Sequence, residues 1–300
     1  MKIDRAILSG LCVVALWASA FPAIKVACAE LGVPGLSFAR LAVATVALLA
    51  VAALRGVRAP ARQDLGWIIA AGFFGMTAYQ VLLNASEVSV PAGTASMIVA
   101  AAPLVSVAVA RLLFGERVTP YTVGGSAVAL AGVAGVCLSR TGAQLDATAW
   151  ITVAAMTVQG IYHPLQRPLR QRYTGLEVAT YAMAAGTLMS LPLLPLGWEG
   201  LVHASWSGWL GAAYLGIFPS AIGFVLWASA SGRLPVAVST SLLYLVPPVA
   251  VLIAWAWLGE RPIVSELLCG LVVIAGVVVL SQGERAIRRL RRAAPAPAPE

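Results

Sequence analysis

Two stretches of this sequence, LLFGERVTP at residues 112–120 and AWLGERPIV at 256–264, each place Gly-Glu-Arg at the end of a long apolar run. The two copies of the tripeptide lie 144 residues apart. Only 11% of the residues in the chain are charged. A charged turn that occurs twice in such a chain indicates an internal repeat.

Further matches appear when the sequence is aligned with itself. A shift of 144 residues aligns Pro91 with Pro235, Pro103 with Pro247, and Ala131-Gly132-Val133 with Ala275-Gly276-Val277. A shift of 142 residues aligns Pro22 with Pro164, Lys25 with Arg167, and Gly66-Trp67 with Gly208-Trp209. Matched prolines inside apolar runs are informative, because each one removes a helical hydrogen bond and kinks the helix. We predict two units, residues 1–143 and 144–285, followed by a basic and then Pro/Ala-rich tail at 286–300.

The composition is that of an integral membrane protein. Hydrophobic residues make up 60% of the chain and the mean hydropathy is +0.88, whereas globular domains are about 45–50% apolar. Apolar runs of about 20 residues, each long enough to cross about 30 Å of hydrocarbon, recur along the whole chain. We predict an all-α membrane protein with ten transmembrane helices, at about 6–29, 35–54, 66–85, 91–113, 119–139, 149–168, 177–196, 207–230, 236–258 and 263–281.

The first of these runs has features of a cleavable signal peptide. It follows a basic start and contains Ala18-Ser19-Ala20, which is similar to a cleavage site. The apolar run continues to about Ala29, however, and the repeat requires this segment as a helix. We therefore expect it to be retained.

The basic residues predict the orientation in the membrane. With both termini in the cytoplasm, 16 of the 20 basic residues fall in cytoplasmic segments and only Arg140 and Arg261 in outer loops. This asymmetry follows the positive-inside rule. The remaining two, Lys25 and Arg40, are expected near helix ends, where long side chains can reach the interface. We expect a multi-pass protein of the bacterial inner membrane, in contact with its lipids.

Five helices per unit is an odd number, so the second unit must enter the membrane from the side opposite to the first. Two five-helix repeats of inverted topology are typical of secondary transporters, in which two similar halves exchange conformations around one site.

The repeated pattern resembles a known family. Two five-helix units, WASAFPAIK at residues 17–25, and a proline separated by eleven residues from Gly-Glu-Arg in both units are similar to the EamA branch of the drug/metabolite transporter superfamily. The resemblance covers nearly the whole chain, and within the family it is greatest to the YddG-type amino-acid exporters. It implies a central cavity between the halves and export of amino acids or other small metabolites; the direction of transport is implied by the resemblance alone.

Motifs for other chemistry are absent from the sequence. It contains no GxxxxGK[ST], GxGxxG, HExxH or GxSxG, so we expect neither a catalytic residue nor a nucleotide cofactor. The four cysteines have no CxxC spacing, and we expect no metal site and no nucleic-acid partner. The pattern is compatible with a monomer and leaves the oligomeric state open.

Polar and aromatic residues in the middle of the predicted spans are the candidates for a substrate site. Trp17 and Gln159 are equivalent under the 142-residue shift, and a mid-depth tryptophan is unusual because this residue prefers membrane interfaces. We predict that the cavity is lined by Trp17, Tyr79, Gln80, Gln159, His163, Tyr214 and Tyr244. Such a wall suits an amino acid with an apolar or aromatic side chain, and suits a hydrophobic drug almost as well.

Five prolines inside the predicted spans are expected to kink helices or to take part in gating, since each leaves a backbone carbonyl without its helical partner. They are Pro22, Pro103, Pro164, Pro219 and Pro247.

The acidic residues avoid the middle of the predicted spans, and Glu87, Glu177 and Glu266 fall near span ends. Proton-coupled carriers usually hold a carboxylate within the membrane, so we expect a facilitator, or coupling through another device. The alternative function is a multidrug or quaternary-cation exporter, which would be expected to hold such a carboxylate. An intramembrane enzyme or a channel is a further alternative.

Overall fold

A computed structural model describes residues 5–115, 119–141, 147–233 and 242–293. The predicted boundary between residues 143 and 144, the Glu116-Arg117 of the first repeated turn and the Pro/Ala-rich end at 294–300 lie outside these ranges. All regular elements within them are helices, as predicted. By length and apolarity, five helices in the described ranges are able to span a membrane, or six if one bent pair is a single span. This criterion therefore shows a multi-pass membrane protein and does not show ten spans.

In the described ranges the first unit contains six α-helices, a short 3₁₀ helix at Arg62–Asp64 and a π-helical segment. The π-helical segment Gly72–Ala78 continues directly from α2 into α3, so these three pieces form one span. The helices are α1 (Arg5–Arg55), α2 (Leu65–Ala71), α3 (Tyr79–Glu87), α4 (Ala92–Val99), α5 (Ala102–Phe114) and α6 (Pro120–Thr141).

The second unit has a similar order of elements. A second π-helical segment, Gly216–Ile222, joins α10 to α11, and α13 extends beyond the predicted span into the first part of the predicted tail. The helices are α7 (Ala147–Arg170), α8 (Gly175–Met189), α9 (Leu193–His203), α10 (Trp206–Leu215), α11 (Gly223–Arg233), α12 (Val246–Leu258) and α13 (Val264–Ala293).

The two units share local structure at equivalent positions. The π-helical segments lie 144 residues apart, as do α5 and α12, which each have a proline in the first turn. Both helices end at a glycine in the left-handed conformation, Gly115 with φ 65° and Gly259 with φ 68°. Other residues lose about 1–2 kcal/mol in that conformation. The glycine of each repeated Gly-Glu-Arg is therefore a helix C-cap.

α1 consists of two helices that meet at a kink and correspond to the first two predicted spans. Helical geometry is interrupted inside it at Gly32, with φ 65° and ψ 168°. Pro34 lies in the first turn of the helix that follows this kink. Backbone N–H groups in a first turn have no helical acceptor, so a proline there removes no helical hydrogen bond. Val13 and Ala18 in the first half of α1 are fully buried, so this segment is part of the packed core.

The seventh predicted span, 177–196, is not one straight helix in the structure. α8 ends at Met189, and α9 begins at Leu193 with its axis bent by 92° from that of α8. Pro192 stands between the two helices and Pro195 lies in the first turn of α9, and neither has an N–H to continue the hydrogen bonding of α8. The second predicted span has no proline at the corresponding positions and continues as a helix to Arg55.

The equivalent helices α6 and α13 pack against each other through glycines. The backbone of Val273 leaves no room for a Cβ at Gly132, and the backbone of Ala129 leaves none at Gly276. The residue number rises along one helix while it falls along the other, so the two helices run antiparallel. Glycine at such contacts lets helix backbones approach closely.

A second contact joins equivalent residues of the two units. The hydroxyl oxygens of Thr45 and Thr187, which are 142 residues apart, form a hydrogen bond of 2.7 Å. Two equivalent residues of a symmetric pair can touch each other only near the symmetry axis. These threonines therefore mark a local two-fold axis between the units.

The surface and the interior have the polarity expected of a protein in lipid. Leu54 and Trp206 are 87% and 77% exposed, whereas Ser37, Asn84 and Glu87 are fully buried. Water would disfavour such a large apolar surface. In a bilayer, by contrast, polar groups must find their partners inside the protein.

Candidate functional site

A cavity of about 590 Å³ lies between the two units. Its walls come from α1, α3, α4 and α5 of the first unit, and from α7, the segment Gly216–Ile222, α11 and the start of α12 in the second. Most of the lining side chains are apolar or aromatic. No aspartate or glutamate of the described ranges lines the cavity.

The cavity brings together most of the residues predicted from the sequence. Six of the seven candidates line it, as do four of the five prolines. Whether they bind substrate stays a prediction. The lining members of the two predicted sets are Trp17, Tyr79, Gln80, Gln159, His163 and Tyr244, together with Pro103, Pro164, Pro219 and Pro247.

Tyr214 and Pro22 are the two candidates that do not line the cavity. The Tyr214 hydroxyl forms a hydrogen bond of 2.6 Å with Ser19 Oγ, and its ring stacks on that of Phe218 at 5.4 Å. Pro22 is buried in α1. The structure thus places both residues in packing between helices.

Trp17 is fixed in the cavity wall by the π-helical segment of the second unit. Its indole Nε1 donates a hydrogen bond of 3.0 Å to the carbonyl oxygen of Pro219. Its ring centroid lies 5.6 Å from that of Phe224 and 5.7 Å from that of Trp227. The polar tip of a mid-depth tryptophan therefore has a partner within the protein, which explains why it is stable away from the interface.

Arg40 is the main correction to the sequence analysis. We expected this residue near a helix end with its charge at the interface, and that prediction is wrong, because Arg40 is 3% exposed and lines the cavity. It lies eight residues after Gly32 and fifteen before Arg55, so about 12 Å of helix separates it from the nearer end.

The Arg40 guanidinium is held by neutral groups. Nη1 donates to Asn84 Oδ1 and Nη2 to Ser220 Oγ, both at 3.3 Å. Nε is buried and has no hydrogen-bond partner in the described ranges. Asn84 is oriented in turn by its own Nδ2, which donates to Ser37 Oγ at 2.8 Å, so its carbonyl oxygen is directed toward the arginine.

Two glutamine side chains of the cavity also carry unused hydrogen-bonding capacity. Oε1 of Gln80 and Oε1 of Gln159 are buried, and neither accepts a hydrogen bond from the described residues. Gln80 is itself 3% exposed. Buried polar atoms without partners are uncommon in native structures and indicate a missing ligand, water or ion.

An ion pair joins the two units beyond one end of the cavity. Lys25 Nζ lies 2.6 Å from Glu260 Oε1, and the backbone N–H of Ala92 donates to Glu260 Oε2 at 2.9 Å. Glu260 belongs to the second repeated Gly-Glu-Arg. The charge distribution predicts that this end of the bundle faces outward.

The cavity extends along different lengths of two equivalent helices, α5 and α12. It follows α5 to the last residue of that helix, Phe114, but touches only Val246 and Pro247 at the start of the equivalent helix α12. Ala254, which is equivalent to the lining residue Ala110, is 1% exposed and packed. The cavity is therefore continued toward the end of the bundle where α5 stops, and closed toward the other.

The three carboxylates near span ends are all buried. Glu177 pairs with Arg58 at 3.0 Å, which raises the pKa of that arginine in the loop after α1, and Glu266 accepts a hydrogen bond from Thr94 at 2.8 Å. Glu87 differs from both, because neither of its carboxyl oxygens has a hydrogen-bond partner in the described ranges.

Comparison with known proteins gives the family. The EamA-like transporter family matches the chain twice, over residues 4–138 and 147–282. The chain belongs to the EamA-like transporter family. It is thus a member of the drug/metabolite transporter superfamily, and the two matches confirm the internal repeat that Gly-Glu-Arg indicated.

Several curated relatives are similar to this chain over nearly their whole length. A protein of Streptantibioticus cattleyicolor described as a probable terminal-alkyne amino-acid exporter is 49% identical over 98% of each chain. The transporter YdfC of Bacillus subtilis is 32% identical over 92% of this chain and 90% of its own. The inner membrane transporter YedA of Escherichia coli is 26% identical over 90% and 88%. These names describe transporters rather than enzymes.

A solved crystal structure shares the fold. It matches with a TM-score of 0.64 over 95% of this chain and 99% of the other, at 20% sequence identity. Such a likeness shows that the EamA arrangement of helices is found outside this chain, and it carries no argument about substrate.

Proposed function

We propose that the protein exports an amino acid with an apolar or aromatic side chain across the bacterial inner membrane. The observation that carries the proposal is a largely apolar, aromatic-walled cavity of about 590 Å³ in a member of a transporter family. This volume lies within the range of about 300–1,000 Å³ that is typical of small-molecule sites. The 49% identical relative is named for terminal-alkyne amino acids, whose side chains are small and apolar.

The mechanism that we propose is alternating access of one central cavity to the two sides of the membrane, by ten spans arranged as two inverted repeats. The antiparallel packing of α6 with α13 and the Thr45–Thr187 contact support inversion, because both follow from a two-fold axis between the units. With both termini in the cytoplasm, α5 ends at the cytoplasmic face. The cavity that follows α5 to Phe114 is then open to the cytoplasm, and the Lys25–Glu260 pair closes the outer side.

The kink prolines give the helices places to bend during this exchange. Pro103 and Pro247 stand at the start of α5 and α12, and Pro164 and Pro219 lie inside α7 and the π-helical segment Gly216–Ile222. We propose these four as hinge positions and Pro22 as their counterpart in α1. Proline at such points allows bending because the helix there already lacks a hydrogen bond.

The alternative of a cation exporter is disfavoured by the charge of the cavity. A quaternary cation would need a carboxylate or an uncompensated aromatic cage. No described carboxylate lines the cavity, and its most deeply buried charged group is the cation Arg40. A fixed positive charge repels a cationic ligand and favours one with a carboxylate.

Counterflow in proteoliposomes tests the proposal. Vesicles with purified protein are preloaded with unlabelled propargylglycine, leucine, phenylalanine, glutamate or a quaternary ammonium dye, and uptake of labelled leucine or propargylglycine is followed. We expect saturable uptake that is stimulated by the apolar amino acids and not by glutamate or the dye. Stimulation by the dye alone, or flux that neither saturates nor responds to preloading, would contradict the proposed function.

A further inference from the structure

Arg40 is a buried charge without a counter-charge among the described residues. None of the described carboxylates lies within ion-pair distance of its guanidinium, and its two hydrogen bonds go to an amide and a hydroxyl. Buried charges in proteins are normally paired, since an isolated ion in a medium of low polarity is strongly disfavoured. An arginine kept at this depth in a cavity wall therefore lacks an anionic partner.

The unused donors of Arg40 match a carboxylate. A guanidinium has five N–H donors in one plane, and two of them have acceptors in the described part of the chain. The unpartnered Nε–H lies on an edge of that plane, and carboxylates bind such an edge through two parallel hydrogen bonds. Asn84 and Ser220 hold the plane from α3 and from the second π-helical segment, so both units position it.

Two glutamines of the cavity wall offer acceptors for an ammonium group, Gln80 on the same helix as Asn84 and Gln159 on α7. Gln80 precedes Asn84 by four residues on α3, so both side chains lie on one face of the helix, one turn apart. The unpartnered Gln80 Oε1 is thus close to the position of the arginine and is buried in the same cavity wall. Gln159 Oε1 offers a second acceptor from α7.

We propose that Arg40 binds the α-carboxylate of the transported amino acid, and that the carbonyl oxygen of Gln80 accepts a hydrogen bond from its ammonium group. Asn84 and Ser220 are positioning residues, which hold the guanidinium. The apolar side chain of the substrate then faces the aromatic and aliphatic remainder of the cavity, including Trp17. This inference rests on the proposed function. It adds that the protein recognises the α-carboxylate and the ammonium group, which all amino-acid substrates share.

The test compares an amino acid with its amide. Propargylglycine and propargylglycine amide differ only in the carboxylate, and both keep the ammonium group and the alkyne. Binding to the purified full-length protein is measured by calorimetry, and counterflow is measured in parallel. The wild type is expected to bind the acid about 10- to 100-fold more tightly than the amide, the value of hydrogen bonds to a charged group.

Three variants locate the source of this preference. Arg40→Gln is expected to bring the acid-to-amide ratio close to one. Arg55→Gln, which removes an exposed arginine at the end of the same helix, is expected to keep the ratio. Asn84→Asp supplies an internal partner to Arg40, so it is expected to raise the melting temperature while it lowers the ratio. A purely structural role of Arg40 would change the melting temperature without changing the ratio.

The possible outcomes separate this inference from the proposed function. Equal binding of acid and amide by the wild type overturns the carboxylate site and leaves amino-acid export standing. So does an unchanged ratio in Arg40→Gln. If Arg40→Gln does not fold, the wild-type ratio and Asn84→Asp decide the question. If the wild type neither binds nor exchanges any amino acid of the panel, both the proposed function and the site are wrong.

Discussion

The Lys25–Glu260 ion pair gives the sharpest test of how the outer side closes. In the proposed mechanism this pair must break each time the cavity opens outward, so removing it should favour the outward-open state. The perturbation is Lys25→Gln. Together with Glu260→Gln and the double variant it forms a double-mutant cycle, which measures the coupling between the two side chains. The exchanged pair, Lys25→Glu with Glu260→Lys, serves as the matched control because it restores attraction.

The magnitude follows from the geometry. At 2.6 Å, two unit charges attract by about 6 kcal/mol if the effective dielectric constant is about 20. Loss of hydration offsets most of this attraction, and the side chains keep 30% and 17% exposure, so we take about 1–2 kcal/mol as the net coupling. That energy corresponds to about a 5- to 30-fold change in the ratio of closed to open states.

The assay uses a cysteine at a position that is buried in this structure and that the proposed outward-open state should expose. Ala254 is buried beside α4 and is equivalent to the cavity residue Ala110. Ala254→Cys is introduced after the native cysteines are replaced, since Cys12 is exposed. A membrane-impermeant maleimide is added to right-side-out vesicles, and its rate of labelling should rise about 5- to 30-fold in either single variant and return toward the starting value in the exchanged pair.

Two results would refute this reasoning. Unchanged labelling in Lys25→Gln would show that the pair does not hold the outer side closed. Labelling that rises equally in the exchanged pair would show that charge attraction is not responsible, and that local packing or the hydrogen bond from Ala92 to Glu260 holds this side closed.

The helix caps, the cavity wall and the buried carboxylate lead to three further predictions. Gly259→Ala should lower the unfolding free energy in detergent by about 1–2 kcal/mol because of its left-handed backbone, whereas Gly124→Ala, at an open helical position, should not; equal effects would contradict the C-cap. Trp17→Phe should raise the half-saturation concentration for export about 2- to 10-fold through loss of the hydrogen bond to Pro219, while Trp209→Phe, partly exposed on the surface, should leave it unchanged. An imposed pH gradient alone should not drive accumulation in proteoliposomes, because no described carboxylate lines the cavity; accumulation that Glu87→Gln abolishes would instead establish proton coupling.

The repeat and most cavity residues were predictable because they depend on local rules. A polar residue in the middle of an apolar span is expected to face the protein interior, which is why Gln159 and His163 line the cavity. Tyr214 obeys the same rule, but its hydroxyl is satisfied by Ser19 on another helix. The identity of the partner was not available from either segment alone.

The features that were missed depend on direction or on distant contacts. Counting apolar residues finds a run at 177–196 but does not show that Pro192 turns the chain by 92° within it. The position of Arg40 depends on Asn84 and Ser220, which are 44 and 180 residues away. The two π-helical segments lie at equivalent positions of the two units, so the self-alignment matches one to the other and gives no sign of either.

The Thr45–Thr187 hydrogen bond has a consequence for movement. A point on a two-fold axis is its own image, so an exchange of conformations between the repeats leaves the separation of these two residues unchanged. The Lys25–Glu260 pair lies off that axis, so the same exchange of conformations would change the distance between its two residues. If the halves exchange conformations as proposed, a covalent crosslink between these two residues should be compatible with continued turnover, whereas a crosslink at the outer ion pair should arrest it.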